Sequence, residues 1–226
     1  MQPSARAPWY RSVCRWLFVV LVAWPVILIV LGMNIRHRNR LPLEGPAIVT
    51  PNHNSHLDTL AMLTLFPLRL IPKVRPVAAA DYFMKTGLLG WFSLNFVGII
   101  PIARKREGAE GDPLQGCQEA LDAGDILIIF PEGTRGEPER MQQLKSGVAV
   151  LASRHPQVPV VPVFMHGLGK ALPKGSYLPV PFFVDVFVGP PMTWATESGG
   201  DKRTFMAALE GRMMKLREKV DYPEYQ

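Results

Sequence analysis

Cysteine is nearly missing from this chain: among 226 residues there are two, Cys14 and Cys117. Two cysteines make neither a disulfide framework nor the paired spacing of a zinc site, so a reducing compartment is the simplest reading. No G-x-S-x-G elbow is present, and neither cysteine stands at a turn that would present a nucleophile. Ser55 and Ser146 have no distinctive context. A chain without a protein nucleophile points to chemistry in which a substrate group attacks directly. The G-x-x-x-x-G-K-[ST] phosphate loop is also missing, and no repeat or low-complexity segment occurs. Acidic residues are the minority, 19 against 25 Lys and Arg, for a formal charge of +6. That balance favours an anionic partner: nucleic acid, an anionic membrane surface or a phosphorylated substrate.

What the chain has in quantity is apolar side chains, 48% of the total, and they are unevenly spread. "WLFVVLVAWPVILIVLGM", Trp16 to Met33, carries no charge. A secretory signal fits poorly, because the basic "NIRHRNR" follows where a small-residue cleavage site belongs. A spanning helix needs roughly 20 apolar residues; this run is marginally short, and Pro25 at its middle removes a backbone hydrogen bond. Arg6, Arg11 and Arg15 precede it, and Arg36, Arg38 and Arg40 follow it. A single span shows a bias in such charges. The symmetry favours both ends on the cytoplasmic side, with a bent helix or helical hairpin dipping into one leaflet. A buried core helix is the plainer alternative, disfavoured because an all-round apolar helix at a terminus has little protein to bury against. Residues 1–40 are therefore expected to form an anchor and 41–226 the remaining domain.

Beyond Arg40 strands and helices alternate. "AIVTP" (Ala47–Pro51), Val74–Ala80, Gly98–Ala103, "DILIIF" (Asp125–Phe130), Val158–Met165 and Phe182–Val188 read as strands. Leu57–Phe66, Tyr82–Phe96, Lys145–His155 and Asp201–Val220 read as helices, and so does the segment that Asp112 caps and Gly124 stops. The pattern predicts an α/β domain with a mostly parallel, helix-covered sheet.

"PNHNSHLDT" follows the first of those strands. Strand-to-helix turns gather at the carboxyl ends of a parallel sheet, where ligands bind. A loop histidine, His53, can meet an aspartate, Asp58, in the first helical turn. That geometry suits a base and its orienter: the carboxylate fixes the tautomer and the other ring nitrogen takes a proton. A metal site from His53, His56 and Asp58 is the competing reading, and polar helix-capping residues a third. Metal ligands usually come with further partners, and His37, His155 and His166 lie in no such cluster. The second signal, "FPEGTRGEPE", follows the strongest strand. A tight glycine turn and the forked donors of Arg135 suit a phosphate, and Lys145 adds charge near a helix start. The same stretch also reads as an ordinary polar loop.

Four blocks in order resemble the lysophospholipid and glycerolipid acyltransferase family: "NHNSHLD" (Asn52–Asp58), "GIIPIAR" (Gly98–Arg104), "FPEGTRG" (Phe130–Gly136) and "VPVVPV" (Val158–Val163). Two departures stand out. Pro101 replaces a common aromatic, and Gly136 stands in place of a serine. The resemblance implies that His53 is the general base and Asp58 its holder, and that backbone N–H groups near the His53 turn receive the oxyanion. It implies that Arg104, Glu132, Gly133, Thr134, Arg135 and Lys145 shape the acceptor's phosphate site, with Pro162 in the block linked to the acyl donor.

The reaction so implied moves a fatty acyl group from acyl-CoA or acyl-carrier protein to 1-acylglycerol 3-phosphate, giving phosphatidate. No metal and no tightly bound cofactor are implied. Another lysophospholipid, glycerol 3-phosphate or a lyso-aminolipid is an alternative acceptor. A metal-dependent phosphoesterase and a non-catalytic lipid binder are more distant readings. A phosphate-bearing lipid acceptor accounts for the basic charge without nucleic acid, whose aromatic-rich RNA-binding motifs are absent. A membrane location at the cytoplasmic face of the inner membrane is expected. Leu88–Gly98 is a candidate lining for the acyl chain, with plain core packing as its alternative.

Overall fold

The computed structural model describes residues 9–80, 87–102, 111–137, 140–172 and 180–221. Seven strands form one sheet: β1 (Leu31–Arg36), β2 (Ala47–Pro51), β3 (Val74–Ala79), β4 (Ile100–Ile102), β5 (Ile126–Ile129), β6 (Val160–His166) and β7 (Phe182–Val188). Their order is β1-β7-β6-β2-β5-β3-β4. The five strands from β6 to β4 are mutually parallel. β7 runs antiparallel to β6, and β1 runs parallel to β7. The expected α/β architecture with a mostly parallel sheet is therefore present.

Parallel strands buried on both faces read as continuous apolar runs, and β5 shows why. Ile126 and Ile128 join a cluster with Phe18, Val19, Ala23 and Ile27 of the N-terminal helix. Leu127 and Ile129 point the other way, to Leu151, Phe205 and Leu209. The helices Gln115–Asp122, Gly147–Arg154 and Lys202–Asp221 supply this second face. The first face is covered by the N-terminal helix and by the helix Asp58–Leu65.

The apolar run takes a form that its composition hid. Helix Trp9–Phe18 continues through π-helical turns at Val19–Ala23 and Val26–Val30, on either side of Pro25. Proline has no N–H to donate, and wider turns accommodate the lost bond. Trp9–Ile29 is long and apolar enough to cross a membrane, with a mean hydropathy of 2.2. It nevertheless lies against the sheet: Arg15, Phe18, Val19, Ala23 and Ile27 are buried along one stripe. The expected 1–40 anchor runs directly into the sheet, because Leu31–Arg36 is the edge strand β1.

Three of the six arginines that flank the apolar run are bound to the protein's own backbone. Arg15 donates to the carbonyls of Pro72 and Val74, Arg38 to the carbonyl of Leu65 and Arg40 to that of Val188.

Candidate active site

The carboxyl ends of β2 and β5 sit side by side, because Val49 pairs with Ile128. The chain leaving β2 forms the His53 turn and the chain leaving β5 forms the 130–136 loop, so the two sequence signals meet. Asn52 anchors the first turn to the sheet. Its side chain donates to Met165 O at 2.9 Å and accepts from Met165 N at 2.6 Å, extending the β2–β6 ladder by one rung. This partner lies 113 residues away, which no local pattern reveals.

His53 Nδ1 lies 2.8 Å from Asp58 Oδ2. The same oxygen accepts from the backbone N–H groups of Asn54 at 2.6 Å and Ser55 at 2.8 Å. A carboxylate only accepts, so Nδ1 carries a hydrogen, and in the neutral imidazole the lone pair belongs to Nε2. Asp58 is 1% exposed and opens the helix Asp58–Leu65, where a negative charge meets the positive end of the helix dipole. The imidazole face stacks on Phe130, with centroids 4.1 Å apart. The sequence places Phe130 at the end of a strand and at the head of "FPEGTRG", but its contact with the His53 ring is seen only in the structure.

The 130–136 loop closes over this turn. Gly136 N donates to His53 O at 2.9 Å. Glu132 Oε1 accepts from His53 N at 2.9 Å, and Oε2 accepts from Gln142 N at 3.0 Å. Burial raises the Glu132 carboxyl above its ordinary value, and the donated hydrogen bonds work against that rise. Thr134 Oγ1 donates to Gln142 Oε1 at 3.2 Å. Gly133 adopts φ +69°, and the Lys145 side chain lies directly over its α-carbon. Arg135 meets the Nε2 atom of His56. The His56 ring is held below its ordinary value by partial burial first, then by the charge of Arg135.

His53, Asp58, Glu132, Gly133, Thr134, Arg135 and Lys145 are therefore gathered in one place. Pro162 is not on these turns. It is buried within β6 opposite Thr50, and its carbonyl accepts from Gly189 N. Arg104 lies outside the described residues. Two expectations change. The amides of residues 53, 54 and 55 point into the Glu132 and Asp58 carboxylates and are not turned to an oxyanion. Glu132 likewise presents its oxygens to backbone amides.

The metal reading loses its geometry. Among the described residues no three His, Cys, Asp or Glu side chains gather around one point. His56 instead faces a guanidinium, which repels a cation.

A strand-end histidine steered by a buried carboxylate, beside a cationic loop, is equipment for activating a hydroxyl by general base. The chain belongs to the acyltransferase family: residues 32–166 match the family model described as Acyltransferase.

It is 31% identical over 150 residues to the chloroplastic 1-acyl-sn-glycerol-3-phosphate acyltransferase LPAT1 of Arabidopsis thaliana, covering 64% of this chain and 38% of that one. It is 32% identical over 136 residues to 1-acyl-sn-glycerol-3-phosphate acyltransferase alpha of Homo sapiens, covering 59% and 45%. The chain thus spans less than half the length of these curated relatives. In fold it is similar to the crystal structure of PlsC, the 1-acyl-sn-glycerophosphate acyltransferase of Thermotoga maritima. The TM-score is 0.76 at 18% identity, over 99% of this chain and 86% of that one.

Proposed function

We propose that this protein transfers a fatty acyl group from a thioester donor, acyl-CoA or acyl-carrier protein, to the free hydroxyl of 1-acylglycerol 3-phosphate. The observation that carries the reading is the 2.8 Å contact from His53 Nδ1 to Asp58 Oδ2, made on a turn that the arginine-bearing loop wraps. His53 Nε2 takes the proton of the acceptor hydroxyl as its oxygen attacks the thioester carbonyl. The tetrahedral adduct then collapses, the C–S bond breaks, and the thiolate leaves with the proton returned from His53. Arg135 and Lys145 hold the acceptor's phosphate. The chemistry draws on no metal and no resident cofactor.

The acceptor is a lipid, and the N-terminal helix suits a protein that meets it at a bilayer. The apolar side chains of Trp9, Leu21, Leu28 and Ile29 are exposed on that helix. We propose that it meets the bilayer at the cytoplasmic face of the inner membrane, the side that faces the cytosol in which both thioester donors are made.

The test incubates the membrane-bound protein with labelled acyl-CoA and a panel of lysophosphatidate, other lysophospholipids, glycerol 3-phosphate and a lyso-aminolipid. Phosphatidate is the expected main product, and His53→Ala abolishes it while the protein stays folded. Preference for a phosphate-free acceptor, or substantial turnover by His53→Ala, overturns the reading.

A further inference from the structure

The "PEGTR" loop sends its polar side chains in two directions. Arg135 reaches out over the His53 turn to His56. Glu132 turns inward and is 1% exposed. Its two oxygens are committed to the amides of two separate segments, His53 N at 2.9 Å and Gln142 N at 3.0 Å. A buried carboxylate in this place would repel a phosphate dianion if it faced one. Nor does it face the acceptor hydroxyl, since the atoms it meets belong to the backbone.

The backbone of His53 is gripped on both sides by this one loop: Glu132 takes its N–H, and Gly136 N donates to its carbonyl at 2.9 Å. Asp58 holds Nδ1 and Phe130 holds the ring face. We propose that Glu132 is a positioning residue, which acts through the His53 main chain to fix where Nε2 stands and makes no contact with the acceptor. Charge-assisted bonds to backbone N–H are among the stronger hydrogen bonds of proteins, and a base misplaced by about 1 Å costs roughly 100-fold in rate. The link to Gln142 N ties the same carboxylate to the segment that leads into Lys145, so one side chain joins the turn that carries the base to the cationic loop.

Glu132→Gln is the test. A glutamine has the same shape but one acceptor oxygen, so its amide group must oppose one of the two N–H donors. Two readouts are taken on the full chain in detergent or vesicles. In the kinetic arm, kcat falls at least tenfold, while KM for lysophosphatidate and for acyl-CoA stays within twofold. In the exchange arm, deuterium uptake at the His53 and Gln142 amides quickens at least tenfold, and peptides from β5 and β6 keep their protection. Glu132→Asp, which retains the charge but is too short to reach both amides, gives the same pattern and serves if the glutamine variant folds poorly. A raised acceptor KM with kcat intact makes Glu132 a substrate contact and overturns the proposal, as does unchanged exchange at His53.

The kinetic arm rests on the acyl-transfer reading and the exchange arm does not. If the wild-type protein acylates nothing in the panel, that reading fails and exchange at His53 still decides the role of Glu132.

Discussion

Lys145 lies across the α-carbon of Gly133, so close that a methyl group there would stand 2.7 Å from Nζ and 2.8 Å from Cδ. The lysine is placed by its own backbone, whose N–H donates to Pro131 O at 2.8 Å. Gly133 also holds φ +69°, a region costing an L residue roughly 1–2 kcal/mol. Gly133→Ala therefore strains the turn and displaces the lysine at once. We expect KM for lysophosphatidate to rise about as far as in Lys145→Ala, with a loss of stability that Lys145→Ala does not share. Steady-state kinetics and thermal unfolding separate the two effects. An alanine variant with wild-type KM would show that the lysine has no part in acceptor binding.

Asp58→Asn leaves the shape of the site and removes its charge. The asparagine carbonyl oxygen takes the place of Oδ2, which accepts from His53 Nδ1 and from the amides of Asn54 and Ser55, but the neutral amide no longer stabilises the imidazolium that forms when Nε2 takes the proton. The expected fall in kcat is roughly 10²–10⁴-fold, the range for general-base catalysis, with KM little changed. His53→Ala/Asp58→Asn should be no slower than His53→Ala alone, because the two residues act as a unit. Additive losses in that double variant would separate their roles.

Much of this arrangement is legible from local pattern. "DILIIF" is apolar on both faces and holds the interior strand β5, between β2 and β3; "NHNSHLD" follows β2, and "FPEGTRG" follows β5. Where strands are parallel neighbours, their turns come together without further information. What stayed hidden depends on distant partners. β1 merges with the apolar run before it and the basic stretch after it, and only its pairing with β7 makes it a strand. Arg15 sits among apolar residues like a flanking charge, yet it meets the carbonyls of Pro72 and Val74. Asp112 bonds Leu114 N, as a capping residue does, but the helix itself starts at Gln115. The inward turn of Glu132 depends on amides 79 and 10 residues away.

The His56 ring carries a pH signature. Its folded-state value lies below its ordinary 6.5, from burial and from the neighbouring Arg135 and His53, with Asp58 opposing. The unfolded chain thus takes up this proton more readily than the folded one. The group contributes stability above about pH 6.5, and that contribution is lost as pH falls through the folded value. Melting temperatures of wild type and His56→Asn should therefore converge or cross between about pH 7 and pH 5. Parallel curves across that window would mean the ring is not held in its neutral form.

Arg15 tethers the N-terminal helix to the sheet. It is 5% exposed, and its guanidinium lies under Gly98 as well as on the two carbonyls. Arg15→Met keeps the apolar stem and strands both acceptors in a buried place, at about 1–3 kcal/mol for each unsatisfied group. Arg15→Lys offers one point charge in place of the fork and recovers only part of this. Thermal unfolding in detergent should rank wild type above Arg15→Lys and Arg15→Lys above Arg15→Met. Equal stability of all three would sever the helix from the sheet energetically.

The outer stripe of that helix poses the opposite problem, since it buries nothing within the protein. Leu21, Leu28 and Ile29 are 67%, 68% and 82% exposed, and nearby Leu88 and Trp91 are exposed on the helix Gly87–Phe92, whose Phe92 packs edge-on against Phe18. An apolar surface of this kind on a folded domain marks a contact surface, and a side chain of this size contributes roughly 1.5–3 kcal/mol when it leaves water. Leu21→Glu/Ile29→Glu should leave the melting temperature in detergent unchanged, because neither side chain is packed inside. Sedimentation with phospholipid vesicles should show at least a tenfold loss of binding. Activity on lysophosphatidate presented in vesicles should fall with it, while activity in mixed micelles, where the acceptor diffuses freely, is retained. Full vesicle binding by the double variant would assign the stripe to another partner and leave the bilayer without a contact surface on this helix.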